Sequence, residues 1–411
     1  MDKIKHLEVI LKVSERCNIN CTYCYVFNLG NEVAINSKPI ISSEIINHLV
    51  EFFEQATTEY DIESIQVDFH GGEPLMMGKK RFIAACQKLI SGNYSNTKLY
   101  LACQTNAILI DPDWIDIFSK YSISIGVSID GPKHINDKHR LDTKGRSTYD
   151  NTIKGFKLLQ NYWKEGKLKD QPGILCVANP NVSGKDIYRH FVDELECTKF
   201  DFLIPDETHD TCIDPTNLSE FYCSAIDEFF LDSNNDIYIR YFHTSIQSML
   251  KPDFTPTMGV SKTSNDIIAL TISSEGDVYI DDTLRGTNDN IFSVIGNIKN
   301  IKFRETLSSW QMKKYMQINS QLPSDCVNCI WKKTCSGGRH IQRYSKADSF
   351  NRKSVFCPSI KKILSRAASH LLESGVPEEL IMDNLGIKSW LELYFQFTYS
   401  LTYHFQVKVV N

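Results

Sequence analysis

The sequence predicts an α/β protein: a partial, open barrel over residues 1–250, a small domain organised by metal over 251–360, and a helical C-terminal tail over 361–411. Three observations lead there. Strand-like runs alternate with helix-like runs six times in the first 250 residues. That periodicity stops near residue 255. Seven of the 13 cysteines fall in two clusters, one near each end of the chain.

The first strand-like run covers 7–14, and an amphipathic helix over 42–59 opens on a Ser cap. In the second run, 64–69, Ile65, Val67 and Phe69 share one face, and a helix follows near 79–90. A third run at 98–103 precedes a helix near 113–120. In the fourth, Ile123, Ile125, Val127 and Ile129 alternate before a helix over 149–163, and runs at 173–178 and 199–204 complete the six. Such repetition implies parallel strands with right-handed crossovers. A closed barrel needs eight units, so the expectation is a partial (βα)6 barrel of the TIM type.

Residues suited to chemistry sit just past the strand ends. A cysteine loop follows the first, His70-Gly71-Gly72-Glu73-Pro74 the second, Gln104-Thr105-Asn106 the third and Asp130-Gly131-Pro132 the fourth. Barrels and open α/β folds carry their sites at that carboxyl edge. Beyond residue 255, the runs 265–271 and 276–280 read as a small hairpin, followed by a turn at Gly296-Asn297-Ile298 and a cysteine-rich region from Cys326 to Cys357. Few helices and many cysteines suggest a lobe held by metal. The tail returns to helix from residue 360 and ends in an aromatic stretch over 390–405, expected to pack as terminal core, with binding of a partner as the alternative.

Lys plus Arg is 45 against Asp plus Glu 50, a net charge of −5, which leaves no basic footprint for nucleic acid or an anionic membrane. No apolar run approaches the roughly 18 residues of a membrane span, and the first residues lead into a strand, not a signal peptide. The expected location is cytoplasmic, where clustered cysteines mean metal or redox chemistry and not disulfides. Cys86, Cys103, Cys176, Cys197, Cys212 and Cys223 are scattered singly and read as small buried hydrophobes.

Cys17, Cys21 and Cys24 have the spacing C-x3-C-x2-C, short enough for three thiolates to meet one face of a cluster. A structural zinc site or an electron-transfer cluster is usually closed by four protein ligands, whereas a catalytic metal keeps a position open. No fourth Cys or His lies within this loop. Zinc completed by a distant residue, or three unrelated cysteines, are the alternatives.

The spacing, with Tyr23 before the last cysteine, resembles the signature of the radical S-adenosylmethionine (SAM) superfamily. The resemblance implies a [4Fe-4S] cluster whose open iron is chelated by SAM. It also implies a 5′-deoxyadenosyl radical that abstracts hydrogen from an unactivated carbon, with the cofactor supplying the hard chemistry. An electron donor such as flavodoxin or ferredoxin is implied as a partner. Gly71-Gly72-Glu73-Pro74 resembles the family's GGEP motif, which holds the methionine amino group. Ser128 matches the position that contacts the SAM ribose, and Arg140 a residue that reaches the SAM carboxylate. Asn106, past the third strand, joins Gly71, Gly72, Glu73, Ser128 and Arg140 in the expected cofactor-binding set.

Cys326, Cys329, Cys335 and Cys357 give C-x2-C-x5-C-x21-C, enough thiolates to complete a cluster or a zinc site. This stretch resembles the SPASM extension of radical SAM enzymes that modify peptides, where these positions bind an auxiliary [4Fe-4S] cluster. A full SPASM domain binds a second one. Here Asp281 and Arg339 stand where two ligands of that inner cluster are expected, so one auxiliary cluster is predicted, not two. Asp282 aligns with the aspartate that serves as a base in sulfatase-maturing relatives, and a carboxylate in a dry pocket suits that task with a raised pKa. A hairpin-turn aspartate is the alternative.

The SPASM-like stretch is most similar to maturases that form three-residue cyclophanes, joining an aromatic ring carbon to a β-carbon two residues on in a ribosomally made precursor peptide. That is the expected activity. The competing readings are sulfatase maturation, which oxidises Cys or Ser to formylglycine, thioether formation on a peptide, and a non-catalytic iron-sulfur or zinc scaffold. Only sixteen residues precede Cys17, so no peptide-recognition domain is expected ahead of the barrel.

Overall fold

The computed structural model describes residues 4–387, apart from 31, 253, 255–265 and 288. Its contacts divide the chain into two compact units: Met1–Val177, His190–Asp206 and Gly259–Gln321 form the first, and Ala178–Arg189, Glu207–Met258 and Leu322–Asn411 the second. This division departs from the ranges 1–250, 251–360 and 361–411. A strand pair at 267–279 belongs to the first unit's sheet, and the helices Leu218–Leu231 and Arg240–Leu250 pack with Cys357–Glu373 in the second.

All six expected strands form. They are β1 His6–Ser14, β2 Ser64–Gly71, β3 Lys98–Thr105, β4 Ser124–Ser128, β5 Gly173–Val177 and β6 Lys199–Leu203. They lie side by side in chain order, each pairing parallel to the next. The expected hairpin also forms, as β7 Ile267–Ile272 and β8 Asp277–Tyr279, but β7 pairs parallel with the other edge of β1, His6 opposite Ile267. A short β9, Gly296–Asn297, adds antiparallel to β8. Residue 265, where the hairpin was expected to begin, lies outside the described residues. Parallel strands covered on both faces read as continuous apolar runs, and Ile267, Ile268, Ala269, Leu270 make one.

Side chains alternate across each strand. Leu7, Val9, Leu11 and Val13 of β1 and Ile65, Val67 and Phe69 of β2 are fully buried on one face. Against that face lie α1, Ser43–Glu59, whose N-cap Ser42 accepts from the Ile45 N–H, and α2, Lys79–Ile90. Phe69 meets Phe82 of α2 with ring centres 4.4 Å apart, and Phe82 meets Trp114 at 5.2 Å. The opposite face of β1 carries Glu8, Ile10, Lys12 and Ser14, so the sheet directs polar groups inward where its loops gather.

In the second unit the helix Leu218–Leu231 packs against Cys357–Glu373, tied by Arg366 and His370, which reach Asp227 Oδ1 at 2.6 and 2.7 Å. The tail is helical as expected, and this helix starts at the last clustered cysteine; Glu378–Leu385 follows. The aromatic stretch over 390–405 lies outside the described residues. No described helix is long and apolar enough to cross a membrane.

Candidate active site

The three-cysteine loop leaves β1 at the carboxyl edge and is sewn to the segment after β4. Asn20 N donates to Leu141 O at 2.8 Å and Thr22 N to His139 O at 3.1 Å. Within the loop, Cys24 N donates to Cys21 O, and Asn28 closes the turn through its N–H to Cys24 O and its amide to Cys21 O. All three thiols are free of disulfides. Burial pushes Cys17 up to about 12 and Cys21 up to about 11, with each neighbouring thiol adding to the rise. Bound iron removes that obstacle by displacing the proton.

Gly71 and Gly72 press on this loop. A Cβ on Gly71, whose φ is +136°, would lie 2.0 Å from Ser14 O, and one on Gly72 would lie 2.5 Å from Arg16 O and 3.0 Å from Cys17 Cβ. Only glycine lets the two backbones approach so closely. Glu73 is 1% exposed; it accepts from Leu75 N and Thr105 Oγ1 on one oxygen and from Asn106 N, at 2.8 Å, on the other. Burial raises its pKa against these three hydrogen bonds. Asn106 in turn donates to Asn18 Oδ1 at 2.7 Å and reaches Cys17 Sγ at 4.0 Å. Ser128 accepts from Gln104 Nε2 at 2.8 Å, for which the missing side chain of Gly126 leaves room. The buried Arg140 donates to Tyr23 OH at 2.8 Å, and Tyr23 donates to Asp130 Oδ2 at 2.5 Å.

A second polar cluster lies at the same edge. Asp282, beginning the turn after β8, accepts from Lys12 Nζ and, at 2.9 Å, from Tyr25 OH. Lys12 Nζ and Gly71 N both point at His70 Nδ1, at 3.2 and 2.8 Å, so the ring proton sits on Nε2. Burial and then Lys12 push His70 down to about 3, which keeps it neutral. Asp282 corrects the sequence expectation of a raised pKa: burial does push it up, but the charge and hydrogen bond of Lys12, with the charge of Arg285, outweigh burial and hold the carboxyl well below the usual range. Arg285 is 1% exposed and over Phe292, and among the described residues none of its three guanidinium nitrogens has a hydrogen-bond partner. Asp281 serves the turn, accepting from Thr283 N–H, Thr283 OH and Tyr315 OH.

In the second unit, Cys326, Cys329, Cys335 and Cys357 line one cavity together with Trp331 and Ile360. Three consecutive left-handed residues, Ser336, Gly337 and Gly338, turn the chain sharply after Cys335. Arg339 stands one residue further, capping the short helix His340–Arg343. Among the described residues no three His, Cys, Asp or Glu side chains are grouped as a single metal ion requires.

Residues 11–174 match the model of the radical SAM superfamily. Over these residues the chain is similar to a radical SAM domain. Its likeness to known proteins runs further. A cysteine-type anaerobic sulfatase-maturating enzyme of Clostridium perfringens (strain 13 / Type A) is 27% identical over 384 residues, 89% of this chain and 97% of the relative. A serine-type anaerobic sulfatase-maturating enzyme of Bacteroides thetaiotaomicron is 22% identical, covering 89% and 91%. The structure of native anSMEcpe with bound AdoMet superposes with a TM-score of 0.75 at 26% identity, over 90% of this chain and 99% of that one. The same protein with AdoMet and the Kp18Cys peptide bound shares the fold, with a TM-score of 0.73 at 23% identity.

A radical SAM domain implies a [4Fe-4S] cluster and SAM, and the donor set fits them: three free thiols in one loop, backed by close glycine packing and a buried arginine. The structure brings Gly71, Gly72, Glu73 and Asn106 directly onto this cysteine loop, while Arg140 reaches it through Tyr23. Ser128 lies on the next strand with Gln104 as its partner. Sequence reading passed over Lys12, Tyr25 and Arg285. Lys12 carried a usable signal, because a charge inside a central parallel strand needs a buried partner. Replacing Glu73 by Gln should cost about 1–3 kcal/mol, because an amide N–H would face donors; urea unfolding of the cluster-free protein measures it.

Proposed function

We propose that this chain is a radical SAM oxidoreductase that modifies a peptide by removing a side-chain β-hydrogen. The observation that carries the reading is the similarity to sulfatase-maturating enzymes over 89% of the chain, far past the radical SAM domain. When bound, the cluster and SAM supply the 5′-deoxyadenosyl radical that takes the hydrogen. Glu73, Asn106, Ser128 and Arg140 hold and orient SAM in the mouth of a partial barrel. Asp282, kept charged by Lys12, is positioned by Tyr25 and takes up the proton that oxidation releases. So acidic a carboxylate holds that proton only briefly. Cys326, Cys329, Cys335 and Cys357 of the second unit would hold one auxiliary [4Fe-4S] cluster, which would supply a one-electron acceptor when bound.

Two products remain in play. The relatives favour formylglycine from Cys or Ser. Asp281 and Arg339, standing where the resembled pattern has cysteine, favour the three-residue cyclophane, because a chain without the inner cluster departs from the sulfatase-maturing pattern.

Anaerobic reconstitution with SAM, a reductant and candidate peptides tests this. Release of 5′-deoxyadenosine with a modified peptide is expected. A cyclophane loses two hydrogens and does not react with aldehyde probes, whereas formylglycine does react. No 5′-deoxyadenosine with any reductant would overturn the enzyme reading. Cys335→Ala should stop product formation while SAM cleavage persists; equal loss of both indicates a folding role instead.

A further inference from the structure

The charge of −5 over the whole chain conceals a local excess of the opposite sign. Residues 326–362, which carry the four clustered cysteines, hold nine Lys and Arg and one Asp. Lys332, Lys353 and Lys361 come from the short helix Lys332–Cys335, a loop and the helix Cys357–Glu373, and all three line the cavity that the four cysteines line. Lys332 and Lys353 are exposed and Lys361 is half-buried. Lys332 donates to Val327 O at 3.0 Å, and Lys353 stands 3.8 Å from the exposed Asp325. A neutral carbonyl leaves the first charge whole, and one solvated carboxylate among three ammonium groups leaves the rim positive. Cys329, Cys335 and Cys357 are themselves only half-buried, so thiols and rim share one opening.

The rim discriminates among anionic partners. Single-stranded nucleic acid is held by aromatic side chains on which its bases stack. The aromatic residues of 326–362 are Trp331, Tyr344, Phe350 and Phe356, and all four are buried. Exposed lysines are mobile point charges, unlike the planar arginine fork that fixes a carboxylate in one geometry. Mobile charges suit steered, short-lived encounters, such as electron carriers make through small interfaces. Four thiols lining one cavity fit a [4Fe-4S] cluster, and electrons cross only where the carrier comes close.

We propose that Lys332, Lys353 and Lys361 form the docking rim for a small acidic one-electron carrier at the four-cysteine site. Across the rim one electron passes from the cluster, which is oxidised, to the carrier's flavin or iron, which is reduced. This rests on the reading of Cys326, Cys329, Cys335 and Cys357 as cluster ligands.

The test uses the full chain, reconstituted, with Cys17, Cys21 and Cys24 replaced by Ala so that only one cluster remains. Iron is counted, the cluster is reduced chemically and mixed with oxidised flavodoxin, an acidic carrier, and semiquinone formation is followed. At low salt, Lys332→Glu with Lys353→Glu is expected to slow the second-order rate about tenfold or more, and high salt should bring variant and parent together. Lys88→Glu with Lys120→Glu makes the same change of charge at exposed helix positions of the first unit and should leave the rate within about twofold. Oxidation of the rim variant's cluster by a neutral quinone should proceed at the parent's rate. Equal slowing by flavodoxin in the two variants, or none in either, overturns the inference and leaves the cluster reading standing. Absence of iron from the parent overturns the cluster reading, and the inference falls with it. Should the rim variant not hold iron, the parent decides: a flavodoxin rate that falls steeply with salt supports the rim, and a flat one sinks it. Protection of Lys332 and Lys353 from acylation by a glutamate-rich peptide or an oligonucleotide, and not by flavodoxin, also overturns the inference and makes the rim a site for that polymer.

Discussion

Replacing Lys12 by Met is expected to destabilise the first unit by about 3–5 kcal/mol, the usual result of leaving one member of a buried ion pair alone. Lys12 is fully buried and Asp282 nearly so, and after the change Tyr25 OH would be the one side-chain donor left to the carboxylate among the described residues. Urea unfolding of the cluster-free protein measures the loss. The effect must depend on pH in a fixed sense. In the native chain Asp282 is held below its unfolded value, so its contribution is complete above about pH 4 and fades as pH falls below that. In the Lys12→Met chain burial is no longer opposed by the ammonium, so Asp282 protonates more readily and its penalty shrinks in acid. The gap between the two proteins is therefore widest near neutrality and narrows toward pH 3. A gap that stays constant with pH would mean that the pair contributes through packing and not charge.

Gly71→Ala should be nearly as damaging, by a different route. The added Cβ would meet Ser14 O at 2.0 Å, and a φ of +136° is itself unfavourable for alanine. Both obstacles are backbone, so no rotamer relieves them; about 3 kcal/mol or more is expected, at the upper end of overpacking costs. The strand ends would part where β1 delivers Cys17, so iron incorporation at the three-cysteine loop should fall with stability. Gly166→Ala is the comparison: its φ is +75° but nothing lies within 4 Å, leaving only the left-handed backbone term of about 1–2 kcal/mol. Thermal unfolding and iron counting on both variants separate the two effects. Equal losses would overturn the close-packing explanation.

Alternation made β1 to β6 legible, because Ile65, Val67 and Phe69 or Ile125 and Val127 pack one face whatever lies opposite. The strand ends then pointed to Cys17, Glu73, Asn106 and Asp130 without further help. Partnership across long separations was not legible. Nothing local in 267–272 says that β7 lies beside β1, and the hairpin to β8 is the only pairing its neighbours reveal. Asp282 shows the same limit: its burial could be guessed from the apolar strand before it, but its charge state follows from a lysine 270 residues away. Arg140 was found through the resemblance, whereas its link through Tyr23 to Asp130 was not visible, because Tyr23 read only as an aromatic before a cysteine.

The pairing of β1 with β7 also orders events in time. Loop closure over so great a separation is slow, and contacts of this kind form late. As the chain leaves the ribosome, β1 to β6 can assemble while Lys12 has no counter-ion, since Asp282 and Arg285 have not been made. A chain that stops short of β7 carries the three-cysteine loop but leaves Lys12 without Asp282.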